Sequence, residues 1–517
     1  MRPDRPAPCR PFVPAALLAI LASCSARPLQ DAASGPAAPP DSDPSALRLA
    51  VRVSKPAAEH INPLVYRGGF IPKSLVFETL VRRDAEGRIV PGLAEAWRFE
   101  DSGRSLILTL RAGARFQDGS PVDAQAVADH FERWARLPEH AWLSSTDRIV
   151  AIEVLSPFEV KLVTDRPASV LTDLVAINPT AVRAPAMVDS EGNFVRPLGS
   201  GPFEFCGVDR SERVFRYRPA AGAGNLLPVE LHAYAGTEPS PVDELLRGKL
   251  DILADGWYQA VPRARIAELR RRSDVSVLEG PGSVVVYLSF RFEAGPTADR
   301  DVRRRVAAAI RRDELIERAE QGLADPCFGF AAPTVTIWPV FREPLNSTPA
   351  SSSETPVTLV LLVSAEGRGP ALGAPLAEQL RAAGFSIELS VADGDDYGRR
   401  VESGAYDLRL ETTWGVPYDP YISLVNRFLA PSRDRTAAER RSRGVDPELA
   451  DLVRQVTAAF DPEQHPALYA RIQQRIDQEA LLVPLYVPKR LALIRAGVTG
   501  LRLDHDLYHL DLSAVRK

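Results

Sequence analysis

Residues 357–391 read VTLVLLVSAEGRGPALGAPLAEQLRAAGFSIELSV. Val357–Val363 is an unbroken apolar run of strand length, bounded by Ser364 and the glycines that follow. Leu376, Leu380 and Ala383 then recur at helical spacing, and Gly384 supplies the stop. Phe385, Ile387, Leu389 and Val391 alternate with polar neighbours, which is the period of a half-buried strand. Strand, helix and strand inside about 35 residues leave room only for a crossover between parallel strands. The stretch therefore predicts an α/β domain built on a parallel sheet.

Working outward, Leu106–Leu110 and Ile149–Val163 read as strands, the second a hairpin bent near Ser156-Pro157. Asp123 precedes a helix whose Val127, Phe131 and Trp134 form one apolar stripe. Val284–Phe290 is a continuous apolar strand of the kind buried on both faces. The next helix carries Val302, Val306, Ala309 and Ile310 on one side and many arginines on the other, read here as a solvated face. Leu481–Val487 is a further strand, following a helix around 466–479. Two α/β lobes joined by crossings near 284–290 and 481–485 imply a cleft, where ligands usually sit.

The composition is ordinary for a globular chain: 517 residues, 45% hydrophobic and 25% charged. Sixty-three Lys+Arg against 67 Asp+Glu argue against a nucleic-acid partner, which would demand a basic excess. Four cysteines, Cys9, Cys24, Cys206 and Cys327, include no CxxC pair, and whether Cys206 and Cys327 meet is open at this level. The first residues change the cellular address. Arg2, Arg5 and Arg10 precede the apolar run PFVPAALLAILAS, too short to span a membrane but right for a signal core, ending at Cys24. Leu21-Ala22-Ser23-Cys24 resembles the lipobox of bacterial lipoproteins, which implies lipidation of Cys24. Residues 24–45, rich in Ala, Pro, Ser and Asp, then read as a flexible tether.

Catalytic constellations are scarce. HExxH and GxSxG are absent, Gly199-Ser200-Gly201 lacks the spacing of a nucleophile elbow, and Gly222-Ala223-Gly224 lacks the third glycine of a dinucleotide loop. His505 and His509 lie four apart beside Asp504 and Asp506, in what reads as a solvated tail. No enzymatic activity and no cofactor are expected. A metal, if carried, would arrive already chelated, since no cluster of soft donors is evident.

Three stretches give a sharper reading. Leu75–Trp97 (LVFETLVRRDAEGRIVPGLAEAW) runs on through FQDGSPVDAQAVADHF at 116–131. Leu198-Gly199-Ser200-Gly201-Pro202-Phe203 and Gly248-Lys249-Leu250-Asp251-Ile252-Leu253 follow in order. Together they resemble the extracytoplasmic solute-binding proteins of ABC importers, in the peptide/nickel-binding family (solute-binding protein family 5). The resemblance implies a two-lobed periplasmic-binding-protein (type II-like) fold with an extra subdomain in the first lobe. It divides the chain into a signal peptide (1–23), the tether (24–45), lobe I (46–283, with a subdomain at about 75–195), lobe II (284–482) and a return to lobe I (483–517).

His140-Ala141-Trp142-Leu143 and Thr413-Trp414-Gly415-Val416-Pro417-Tyr418-Asp419-Pro420 look closest to the nickel-chelate branch, in which aromatic walls hold a small chelate. The matching positions are Tyr66 and Trp142 from the first lobe and Trp414 and Tyr418 from the second. Flat indole and phenol faces attract cations and stack on planar groups, in agreement with that role. The branch's polar pattern departs: Glu139 stands where one chelate-gripping arginine is expected, and none aligns near Asn178-Pro179. Arg433 is the nearest match to a metal-contacting histidine. Arg433 and Arg67 are thus candidate carboxylate anchors. The resemblance implies a lipid-anchored, monomeric carrier, periplasmic or at the cell surface, that takes a short peptide, metal chelate or metallophore to a permease and its ATPase. A surface-anchored hydrolase and a ligand-sensing receptor are the alternatives on the same scaffold.

Overall fold

The computed structural model describes residues 43–53, 61–62, 70–84, 88–137, 149–165, 167–168, 171–209, 211, 213–235, 240–335, 338–342, 356–429, 446–459 and 462–517. Two mixed sheets form the frame. The first runs Val275–Gly280, Arg490–Arg495, Ile252–Ala254, Leu47–Arg52, Val229–Tyr234, Val214–Pro219, Phe203–Val208. Its centre is parallel: Leu47–Arg52 pairs with Val229–Tyr234 on one side and Ile252–Ala254 on the other. The second runs Ala324–Pro326, Leu482–Pro488, Val286–Phe290, Leu408–Thr412, Val357–Ser364, Phe385–Ala392.

The crossover read from 357–391 is present. Val357–Ser364 pairs in parallel with Phe385–Ala392, from Val357 opposite Phe385 to Ser364 opposite Ala392. The intervening helix Gly369–Ala382 buries Leu372, Leu376 and Leu380 completely against the sheet. Gly384 ends it at a φ of +88°, where a side chain would be strained. Strand Val286–Phe290 is buried at every position, as its unbroken apolar run demands.

A four-stranded antiparallel sheet (Ala94–Glu100, Ser105–Leu110, Glu159–Thr164, Ile149–Ser156) carries helix Ala124–Trp134. Asp123 caps that helix by accepting from the Ala126 amide at 2.8 Å, and Val127, Phe131 and Trp134 are wholly buried. The Gly-Ser-Gly-Pro turn and the two parts of the Leu75–Phe131 stretch meet here. Gln117 Nε2 donates to the carbonyls of Gly201 (3.1 Å) and Phe203 (2.7 Å), and a Cβ on Gly199 would lie 2.0 Å from the Val76 carbonyl oxygen. These motif residues are thus joints between segments.

Three sequence readings are corrected. The return crossing falls at Lys489, because Leu482–Pro488 stays in the second sheet and only Arg490–Arg495 enters the first; the apolar run continues past 481–485 without a break. Arg303 is not solvated: it is 5% exposed and donates to the carbonyls of Thr297, Ala298, Glu479 and Ala480, tying its helix to the chain entering Leu482–Pro488. The tail is not solvated either. Arg490, itself buried, donates to the carbonyls of Asp255, Asp506 and His509, and Tyr508, Leu510, Leu512 and Val515 are buried. Cys206, on strand Phe203–Val208 of the first sheet, and Cys327, just after strand Ala324–Pro326 of the second, are free thiols.

Candidate functional site

In open α/β sheets, ligands favour the carboxyl ends of parallel strands. Five such ends matter here: Arg52, Tyr234 and Ala254 close strands of the first sheet, and Ser364 and Thr412 close strands of the second. Aromatic residues gather just beyond two of them. Trp257 follows Ile252–Ala254, and Trp414 follows Leu408–Thr412.

The Trp414 turn is held from below. Thr413 Oγ1 accepts from the Val285 amide at 3.0 Å, and Gly415 adopts a φ of +73°. A Cβ on Gly415 would stand 2.7 Å from Ser283 Oγ, which in turn donates to the His505 carbonyl at 2.7 Å. The Trp-Gly pair is therefore required by the close approach of the interlobe crossing and the tail. Asp419, 1% exposed, lies under this turn and accepts from the Ser423 hydroxyl. Burial pushes its carboxyl up to about 6, despite the hydroxyls of Ser423 and Thr413.

Trp414 and Tyr418 pack edge to face with ring centroids 5.7 Å apart. Tyr418 also meets Tyr508 at 5.0 Å, and Tyr508 stacks on Trp257 at 5.9 Å with 19° between planes. Phe70 stands edge-on to Tyr508 at 4.9 Å. The Tyr508 hydroxyl donates to the Trp414 carbonyl at 2.6 Å. Aromatic rings from the two sheets' loops thus form one continuous array, each contact of the geometry that aromatic quadrupoles favour. Tyr418 is 2% exposed, covered by its neighbours, whereas Trp414, Trp257 and Phe70 are half-exposed.

Of the residues singled out from sequence, the structure brings Trp414 and Tyr418 together. Tyr66, Arg67, Trp142 and Arg433, together with Glu139 and Cys24, lie outside the described residues. Sequence reasoning missed Phe70, Trp257 and Tyr508. Trp257-Tyr258 follows the Gly248–Leu253 motif closely enough to have been found; Tyr508 was hidden in a polar tail.

Two spaces open beside this array. A small pocket is lined by Arg52, Val53, Phe70, Trp257, Tyr258 and Tyr508. A cavity of about 350 Å³ lies on the other side of Arg52, between Tyr234, Val242, Gln259 and Arg265 of the first lobe and Gly367 of the second. Below it, a buried charge chain crosses between lobes. Arg263 donates to Asp255 Oδ2 (2.8 Å) and to Glu320 Oε2 (3.3 Å), and Arg368 beside Gly367 donates to Glu320 Oε1 (2.9 Å).

Residues 88–433 match the family pattern described as bacterial extracellular solute-binding proteins, family 5 middle. The chain belongs to family 5 of the bacterial extracellular solute-binding proteins. It is 23% identical over 463 residues to the nickel-binding periplasmic protein of Escherichia coli K12, covering 82% of this chain and 86% of that one. It is 25% identical over 473 residues to the probable di/tripeptide-binding protein 5 of Pseudomonas aeruginosa, covering 83% and 88%. The fold is similar to that of NikA from Brucella suis, solved in complex with Fe(III)-EDTA, with a TM-score of 0.80 at 20% identity over 90% of this chain and 99% of that one. The two-lobed periplasmic-binding architecture expected from the sequence is thus the fold of this family 5 protein, whose relatives include nickel-binding members.

Proposed function

We propose that this protein is the solute-capturing component of an ABC importer. It is tethered outside the cytoplasm by a lipid on Cys24, takes a short peptide, metal chelate or metallophore into the interlobe cleft, and passes it to a membrane permease without chemical change. The observation that carries this reading is the aromatic array in which Trp257, beyond a strand of the first sheet, and Trp414 and Tyr418, beyond a strand of the second, are joined through Tyr508 of the C-terminal tail. A solute that touches rings from both sides favours the closed arrangement through contacts available only there. The relatives named for nickel and for di/tripeptides supply the solute classes.

Native mass spectrometry and metal analysis of protein purified from its own host test this reading. One small solute should be held noncovalently per chain and released on denaturation. Incubation with a peptide library should give binding without turnover; hydrolysis of the library would overturn the carrier reading in favour of an anchored hydrolase.

A further inference from the structure

Six arginines are buried among the described residues, and five of them are compensated by the protein. Arg263, Arg409, Arg427 and Arg490 each meet a carboxylate, and Arg303 donates to four carbonyls. Arg183 is the exception. At 5% exposure it makes a single hydrogen bond, from Nη1 to the Ala184 carbonyl at 3.1 Å, and no ion pair among the described residues. Its Nε is buried with no partner. The charge that bears on it most is a second cation. Burial first, and then Arg133, pull the Arg183 guanidinium below the usual arginine value, with Asp129 acting the other way.

Arg133, half-buried in the last turn of helix Ala124–Trp134, leans over the loop that follows Arg183. Its Nη2 donates to the Gly192 carbonyl, and a Cβ on Gly192, whose φ is +86°, would collide with the guanidinium. Its Nε is also buried and unpartnered. The nearby carboxylates are engaged elsewhere: Asp129 Oδ1 accepts from Gln125 Nε2 at 2.8 Å, and Asp189 takes the amides of Glu191 and Asn193 in its own loop. Each guanidinium fork thus makes one bond to the protein. The two Nε atoms are sealed in, whereas Arg133 Nη1 and Arg183 Nη2, equally without protein partners, keep contact with solvent. Two neighbouring cations held partly out of water with no counter-charge are costly until an anion joins them. Neither arginine lines the spaces beside the aromatic array.

We propose that Arg133 and Arg183 form a phosphate-binding site outside the solute cleft, in which Arg133 Nη1 and Arg183 Nη2 together hold the oxygens of one phosphate group. The ligand class follows from charge and shape. A dianion offsets both guanidiniums, and a tetrahedral group offers separate oxygens to two planar forks that arrive from different segments. A free phosphate ion and the phosphate of a lipid headgroup present the same chemistry. Bound there, the anion ties the end of helix Ala124–Trp134 to the 183–192 segment, in place of the ion pair that the protein does not supply.

The probes are inorganic phosphate and glycerol 3-phosphate, a soluble counterpart of a lipid headgroup, titrated into the full chain by calorimetry in chloride buffer of constant ionic strength. At least one should bind, and the tighter of the two names the source. Arg183→Met should weaken that binding about ten- to hundredfold, the range for lost hydrogen bonds to a charged group, and Arg133→Gln by a similar factor. Saturating phosphate should raise the melting midpoint of the parent and leave that of Arg183→Met in place, because only the parent binds it. Trp414→Ala, altered in the cleft, should keep the parent's phosphate response. The proposal is overturned if neither probe binds, if both arginine variants bind as the parent does, or if Trp414→Ala abolishes the response. Should Arg183→Met fail to fold, Arg133→Gln, at a half-buried helix position, decides by the same criterion.

Discussion

Replacing Arg263 by methionine should destabilise the protein by about 3 kcal/mol and loosen the joint between its lobes. The guanidinium is almost fully buried and makes four hydrogen bonds: to Asp255 Oδ2 at 2.8 Å, Glu320 Oε2 at 3.3 Å, the Val261 carbonyl at 2.9 Å and the Lys489 carbonyl at 2.8 Å. Removing one partner of a buried pair typically costs about 3–5 kcal/mol, because the surviving charge is stranded. Neither survivor is wholly stranded here. Asp255 keeps the amides of Ala260, Val261 and Leu491, and Glu320 keeps Arg368 and the Tyr486 hydroxyl, so the low end applies. Methionine fills similar volume and adds no polar group, which confines the effect to the lost bonds. Equilibrium urea unfolding, followed by circular dichroism and tryptophan emission, reads the cost. Hydrogen exchange should quicken at the Leu491 amide, which Asp255 holds at 3.1 Å across the return crossing. Adding Glu320→Gln should recover more than about 1 kcal/mol relative to additivity, since it removes a carboxylate left in excess. A loss below about 1 kcal/mol, or strictly additive single and double variants, would refute the chain as an energetic link.

Asp419→Asn should flatten a pH dependence. With the folded carboxyl at about 6 and an ordinary value of 3.8, the unfolded chain releases this proton first as pH rises. Wild-type stability therefore falls by up to roughly 3 kcal/mol between those two values and stays low above them. The stability gap between variant and parent should widen through that window; a gap independent of pH would remove Asp419 from the account. Gly415→Ala should cost about 2 kcal/mol by thermal or urea unfolding, from the +73° φ and the 2.7 Å approach to Ser283, and should shift Trp414 emission. Unchanged stability would show that the turn has slack. Cys24→Ser should move the protein from the membrane fraction to the soluble one, and persistence in the membrane would exclude the lipid tether.

The regular parts of this fold were legible because their information is local. Period-two and helical spacing within 357–391 suffice to specify a parallel crossover, and Gly384 marks its corner. The return crossing was misplaced because Leu482–Pro488 offers no polar break before Lys489. Arg303 and the His/Asp-rich tail were misread for a shared reason: a polar residue is buried whenever a distant partner satisfies it, and Arg490 satisfies carbonyls far along the chain. The same logic hid Tyr508 in the candidate site.

The account stands most directly on titration of the host-derived solute against two single variants, Trp257→Ala from the first lobe and Trp414→Ala from the second. Both should weaken binding about tenfold or more by calorimetry, roughly 1.4 kcal/mol each, while leaving the fold intact. Undiminished affinity in either variant would mean that the solute is not held between the lobes.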